Sequence, residues 1–183
     1  MKKKPSLIVP VEQITWEGLD IPLSLDVDWF ARWLHDQPGL EFSLEKPLTG
    51  TVHLERHEGN ILVRGGLQGE LIFTCSRCLE TFAGPLTASF DLLLKRGQAQ
   101  ALDQEVELSA GELDEDFFSG DELELNVLLR EQILLALPLK TLCREECRGL
   151  CRQCGKNLNQ ESCSCPAPSF DSSFAALKKL RND

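Results

Sequence analysis

From residue 48 onward the apolar positions of the chain recur with a period of two. Leu48, Val52 and Leu54 alternate with polar neighbours. After a turn at Glu58-Gly59-Asn60, Ile61, Val63, Leu67, Leu71 and Phe73 share one face. Leu86, Ala88, Phe90, Leu92 and Leu94 repeat the alternation. Three long strands with one apolar face each predict an antiparallel meander over about residues 48–96, because such a sheet buries one side and wets the other. Gly65, Gly66 and Gly69 in the middle strand predict a bulge or strong coiling, as in a small barrel.

Elsewhere the period is helical. In residues 7–47, Asp26 stands where an N-cap would, and Trp29, Phe30, Trp33 and Leu34 supply the apolar side of a short helix that Pro38-Gly39 ends. A second helix is expected over about 122–137. Asp121 and Glu124 form a capping box, Leu125, Leu128, Leu129, Ile133, Ala136 and Leu137 line one face, and Pro138 closes it. Val127, Leu134 and Leu135 are apolar too, so burial on most sides is expected. Residues 98–120 lack periodic apolar positions and read as a long exposed acidic loop. Past Pro166 and Pro168, Phe170, Phe174, Leu177 and Leu180 share one face of a final amphipathic helix, with Lys178, Lys179 and Arg181 on the rest.

The fold class expected is therefore α+β: a coiled, barrel-like antiparallel sheet with flanking helices and a small cysteine-rich module. Residues 1–138 would form the core, and 139–183 the cysteine-rich module with the last helix. At 183 residues the chain can bury one core with a small appendage. No apolar run approaches the roughly 20 residues of a membrane span. Met1-Lys2-Lys3-Lys4 starts like a signal peptide, but Pro10 and Glu12 interrupt the apolar stretch that follows, so a cytoplasmic protein is expected.

Charge divides the chain. Residues 139–183 carry eight Lys/Arg against five Asp/Glu, whereas residues 5–138 carry eight against 24. A nucleic-acid surface on that acidic body would be repelled, so any RNA contact falls to the basic tail or to the N-terminal lysines.

Six of the eight cysteines lie between Cys143 and Cys165. In a reducing compartment such clustering points to metal or catalysis rather than to structural disulfides. Cys151-Arg-Gln-Cys154-Gly155 fits a zinc-binding turn, where glycine lets the backbone fold around sulfur. One partition places Cys151, Cys154, Cys163 and Cys165 in one site and Cys75, Cys78, Cys143 and Cys147 in another, for one or two structural Zn²⁺ ions per chain. Spacing alone does not fix the pairing. Cys75-Ser-Arg-Cys78 leads toward a strand rather than a helix, unlike a thioredoxin-type motif, although a thiol redox sensor using this pair is an alternative. No His-Glu pair supplies the general base that catalytic zinc uses. His53 and His57 would lie about 13 Å apart on a strand and read as surface residues.

Lys140, Arg144, Arg148, Arg152 and Lys156 thread the cysteines at intervals of four. They read equally as a phosphate-contacting stripe or as local balance for a zinc tetrathiolate of formal charge about −2. No aromatic residue lies between 139 and 169, so base stacking is not evident there.

The combination of Cys75-Ser-Arg-Cys78-Leu79-Glu80, Leu137-Pro138-Leu139-Lys140-Thr-Leu-Cys143 and Cys147-Arg-Gly149-Leu150-Cys151-Arg-Gln-Cys154-Gly155-Lys-Asn157-Leu158-Asn159 resembles the YceD family, over about residues 50–180. These bacterial and plastid proteins are linked to accumulation of large-subunit ribosomal RNA. The resemblance implies a non-enzymatic role in synthesis, processing or stability of 23S rRNA, with large-subunit assembly intermediates as partners. The basic tail would meet rRNA and the acidic body a basic ribosomal protein; a zinc-ribbon adaptor without RNA is the alternative. Family members with the full cysteine tail resemble metal binders, and others lack most of it. Where the family often carries Asp-Pro-Arg before the last helix, this chain has Asp171-Ser172-Ser173: Asp171 can still cap, but the arginine is absent.

Overall fold

The computed structural model describes residues 7–35, 37, 42–97 and 115–166. The elements run β1 (Ile8–Pro10), a 3₁₀ turn (Val11–Gln13), β2 (Leu19–Leu25), α1 (Val27–His35), β3 (Phe42–Leu44), β4 (Leu48–His57), β5 (Asn60–Thr74), β6 (Thr81–Arg96), β7 (Glu115–Phe118), β8 (Glu122–Glu124) and α2 (Leu125–Ala136). The fold is α+β. Its main sheet runs β2-β4-β5-β6-β7, with β3 also paired to β5, and a separate ribbon joins β1 to β8.

The three strands expected over 48–96 are β4, β5 and β6, paired antiparallel. Glu58 (φ 49°) and Gly59 (φ 88°) form the two-residue turn between His57 and Asn60, the left-handed geometry that suits a twisted hairpin. Leu48, Val52, Leu54, Ile61, Val63, Leu67, Leu71, Phe73, Leu86, Ala88 and Leu94 are all buried in one core.

Two expectations about this sheet are corrected. It is mixed and open, not an antiparallel barrel-like meander: β7 runs parallel to the end of β6, and β2 and β7 stand at opposite ends without pairing. The acidic stretch 98–120 thus contains an edge strand, anchored by buried Phe118; with four residues, of which only Phe117 and Phe118 are apolar, that strand is too short to show a period. The glycines of β5 make no bulge either, since both ladders advance one residue for one. They allow close approach instead. A Cβ at Gly65 would stand about 2.8 Å from the Thr51 carbonyl oxygen and 2.9 Å from the Phe90 ring.

The α1 helix starts as its sequence indicates. Asp26 Oδ1 accepts the Trp29 N–H at 3.0 Å, and Trp29, Phe30 and Trp33 are buried. Its aromatic face continues into the sheet through Phe30–Phe42 (ring centroids 6.0 Å), Phe42–Phe73 (6.5 Å) and Phe73–Phe82 (5.9 Å).

The start of α2 differs from the expected capping box. Glu122–Glu124 is strand β8, held by β1, and Glu124 makes no side-chain cap. The Leu7 carbonyl accepts the Leu125 N–H at 2.8 Å, so a distant segment satisfies the helix start that Asp121 would have served locally. The expectation of burial on most sides is corrected as well. Leu125, Leu128, Leu129 and Ile133 are buried, whereas Val127, Leu134 and Leu135 are exposed, because α2 lies with one face against the sheet. Among the described residues no helix is long and apolar enough to cross a membrane. Pro38-Gly39 and the final helix with Asp171 lie outside the described residues.

Candidate metal centres

The eight cysteines gather into two groups. Cys75, Cys78, Cys143 and Cys147 form one, and Cys151, Cys154, Cys163 and Cys165 the other, with all sulfurs of a group within 4.8 Å of one another. All eight are free thiols. In the first group Cys75 Sγ lies 3.7 Å from Cys147 Sγ, and Cys78 Sγ 3.8 Å from Cys143 Sγ. A tetrahedral metal with four bonds of about 2.3 Å to sulfur has edges of about 3.8 Å, so these separations fit four ligands on one ion. Both groups could hold a metal.

Each group contains a Cys-x-x-Cys turn, and the two turns are built alike. In the first, Leu79 N–H donates to the Cys75 carbonyl (2.9 Å) and Cys75 N–H to the Glu80 carbonyl (2.9 Å). In the second, Gly155 N–H donates to the Cys151 carbonyl (2.9 Å) and Cys151 N–H to the Lys156 carbonyl (2.8 Å). The residue after the second cysteine is left-handed in both: Leu79 at φ 61° and Gly155 at φ 71°. Glycine announces that turn at 155, whereas leucine conceals it at 79.

The first turn hangs from the end of β5 and reaches its partners through a network that the sequence did not reveal. Ser76 donates to the Thr141 carbonyl from both N–H (2.8 Å) and Oγ (3.0 Å), and Thr141 Oγ1 returns a bond to the Thr74 carbonyl (2.8 Å). Arg77 Nη1 donates to the carbonyls of Glu145 (2.8 Å) and Cys147 (2.9 Å). The Arg77 carbonyl accepts from Leu150 N–H, and a Cβ on left-handed Gly149 would stand 2.9 Å from that carbonyl oxygen. Cys75, Cys78 and Cys147 are buried, with Phe82, Leu142, Cys143 and Leu150 packed around them.

The electrostatics of each group also favour a cation. Burial pushes the Cys143 thiol up to about 12, reinforced by its sulfur neighbours, Cys147 first. Burial opposes the Cys75 thiolate as well, but the N–H groups of Cys143, Cys78 and Arg77 outweigh it and bring that thiol down to about 6. Cys147 is also lowered: burial works against it, and the Asn159 amide and Gly149 N–H prevail. In the second group the N–H groups of Cys154 and Gln153 bring Cys151 down to about 6, while Cys154 and then burial push Cys165 up to about 12. Crowded thiols split into easy and reluctant ionisers, and a divalent cation removes the repulsion that holds the reluctant ones neutral.

Lys140, Arg144, Arg148, Arg152 and Lys156 are all exposed. Lys156 pairs with Glu161 (2.9 Å), and Arg148 and Arg152 border a groove of about 330 Å³ floored by Leu150 and Leu158, beside Cys163 and Cys165. His53 and His57 bond to Asp20 (2.8 Å) and Glu55 (2.6 Å), outside both cysteine groups.

Both groups fall wholly within the part of the chain that known proteins share. The profile of the family described as large ribosomal RNA subunit accumulation protein YceD matches residues 63–181, well over half of the chain. The chain belongs to the YceD family. The match covers all eight cysteines together with Lys140, Arg144, Arg148, Arg152 and Lys156. Among curated relatives, the chloroplastic large ribosomal RNA subunit accumulation protein YCED homolog 1 of Zea mays is 28% identical over 142 residues, 65% of this chain and 48% of the relative. Its Arabidopsis thaliana counterpart is 24% identical over 156 residues, 74% of this chain and 49% of the relative. The chain thus spans about half the length of the curated relatives it matches. No solved structure matches it.

Proposed function

We propose that the chain is a non-enzymatic factor in the synthesis, processing or stability of 23S rRNA, and so in assembly of the large ribosomal subunit. The observation that carries this reading is the YceD match over residues 63–181, which spans both cysteine groups. The family's name refers to accumulation of large-subunit ribosomal RNA, as do the names of the two plant relatives.

In this reading the cofactor is Zn²⁺, one ion in each cysteine group. Four-sulfur coordination leaves no open position, so the metal is structural and shapes residues 139–166. The module 139–183 then presents Lys140, Arg144, Arg148, Arg152 and Lys156 to rRNA phosphates, while the acidic body 1–138 suits a basic ribosomal protein. The working compartment is the cytoplasm.

Deletion of the chain's gene should lower 23S rRNA and the large-subunit peak in ribosome profiles. Complementation with the unchanged chain should restore both. A chain carrying R144E and R148E should keep its metal and fold but fail to restore them. Unchanged 23S rRNA after deletion would contradict the assembly role. Full rescue by the charge-reversed chain would contradict the basic stripe alone.

A further inference from the structure

Asn159 belongs to the span between Cys154 and Cys163 that closes the second cysteine group, yet its side chain serves the first. Its Nδ2 donates to Cys147 Sγ at 3.3 Å. Its Oδ1 accepts the Arg148 N–H at 2.8 Å. Asn157 Oδ1 accepts both the Asn159 N–H (3.0 Å) and Nδ2 (2.9 Å), which fixes the amide and leaves its orientation without an alternative.

The rest of that span lies against the first group too. Leu158 N–H donates to the Gly149 carbonyl at 2.9 Å, and Asn157 bridges Leu150. Gln160 Nε2 donates to Glu80 Oε1, two residues beyond Cys78. The span that closes one cysteine group is therefore a wall of the other.

We propose that Asn159 couples the two centres, so that metal bound by Cys151, Cys154, Cys163 and Cys165 tightens metal binding by Cys75, Cys78, Cys143 and Cys147. Two effects act together. Closing the second group orders residues 155–162, so the first metal to bind there meets the ordering cost for its neighbour. The ordered amide then donates to the Cys147 sulfur and stabilises thiolate charge; such outer contacts typically govern metal affinity by about 10–100-fold. Linkage makes the coupling reciprocal: filling the first group tightens the second by the same factor. Asn159 is a positioning residue, since it acts on the metal through Cys147.

The inference rests on the metal reading of the two groups. Its test is Zn²⁺ competition against a chelator, on the full reduced chain. Disabling the second group by C151S with C154S should weaken the first site about 10–100-fold. N159A should weaken it by a comparable factor with the second group intact, and the two changes together should cost no more than the larger alone. An unchanged first-site affinity in N159A, or losses that multiply in the combined variant, would overturn the coupling.

Native mass spectrometry at one equivalent of Zn²⁺ needs no disabled group. The one-metal chain should be a larger share of N159A than of the unchanged protein, and an equal share would overturn the coupling as well. A chain that binds no metal at all would instead refute the metal reading, whereas two uncoupled metals would refute the coupling and leave the metal reading standing.

Discussion

Replacing Cys147 by alanine is expected to release residues 139–166 from the rest of the molecule. Cys147 is buried, with its sulfur 3.7 Å from that of Cys75. Its loss leaves three ligands for an ion that needs four, and without the ion it leaves crowded thiols that repel one another when ionised. The surrounding apolar material is a small cluster of Phe82, Leu142, Cys143 and Leu150, too little to hold the segment by itself. The opening free energy of residues 139–166 and of the Cys75–Cys78 turn should fall by more than about 4 kcal/mol, a size reserved for loss of a metal centre or a comparable feature. Amide hydrogen exchange reads this directly. Protection should vanish in those residues and persist in β4, β5 and β6, whose core is separate. Equal protection in the variant and the unchanged chain would show that the sulfur does no structural work.

Phe73→Ala should cost about 3–5 kcal/mol of global stability, the usual range for removing a buried phenylalanine. The ring is 3% exposed and sits between Phe42 and Phe82, in an aromatic chain that begins at Phe30 of α1. Two features make the site more than a core position. Cys75 follows two residues later, just past the end of β5, and Phe82, the cross-strand partner of Phe73, packs against both the main core and the first cysteine group. A cavity at 73 therefore loosens the end of the hairpin that carries Cys75 and Cys78. Urea unfolding should show the lower midpoint with an unchanged slope. A cost below about 1 kcal/mol would mean that this region collapses to fill the gap.

Much of this architecture is legible in the residues where local signals are strong and agree. Period-two alternation marks β4, β5 and β6, and Asp26 marks the start of α1; the sulfur positions form the same two groups as the one partition considered, although cysteine spacing alone leaves the pairing open. The misses share a cause: each element involved is defined by a distant partner. The strands β1 and β8 are three residues each and exist as a pair, and β8 displaced the capping box because Leu7 supplied the carbonyl that Leu125 needed. The short β7 takes its place from the edge of β6, not from any pattern in its acidic surroundings. Within the site, Arg77 and Asn159 look like spacers between cysteines. Their roles appear only when Arg77 reaches the carbonyls of Glu145 and Cys147 and Asn159 reaches the Cys147 sulfur. Leu79 carries a left-handed turn with no glycine to announce it.

The most direct test of the account is the metal content of the chain purified under reducing conditions. Two closed four-cysteine centres predict two zinc ions per chain by elemental analysis. One should be lost when Cys151 and Cys154 are replaced by serine, and the other when Cys75 and Cys78 are. A chain that carries no zinc, or that keeps both ions after either pair is removed, would contradict it.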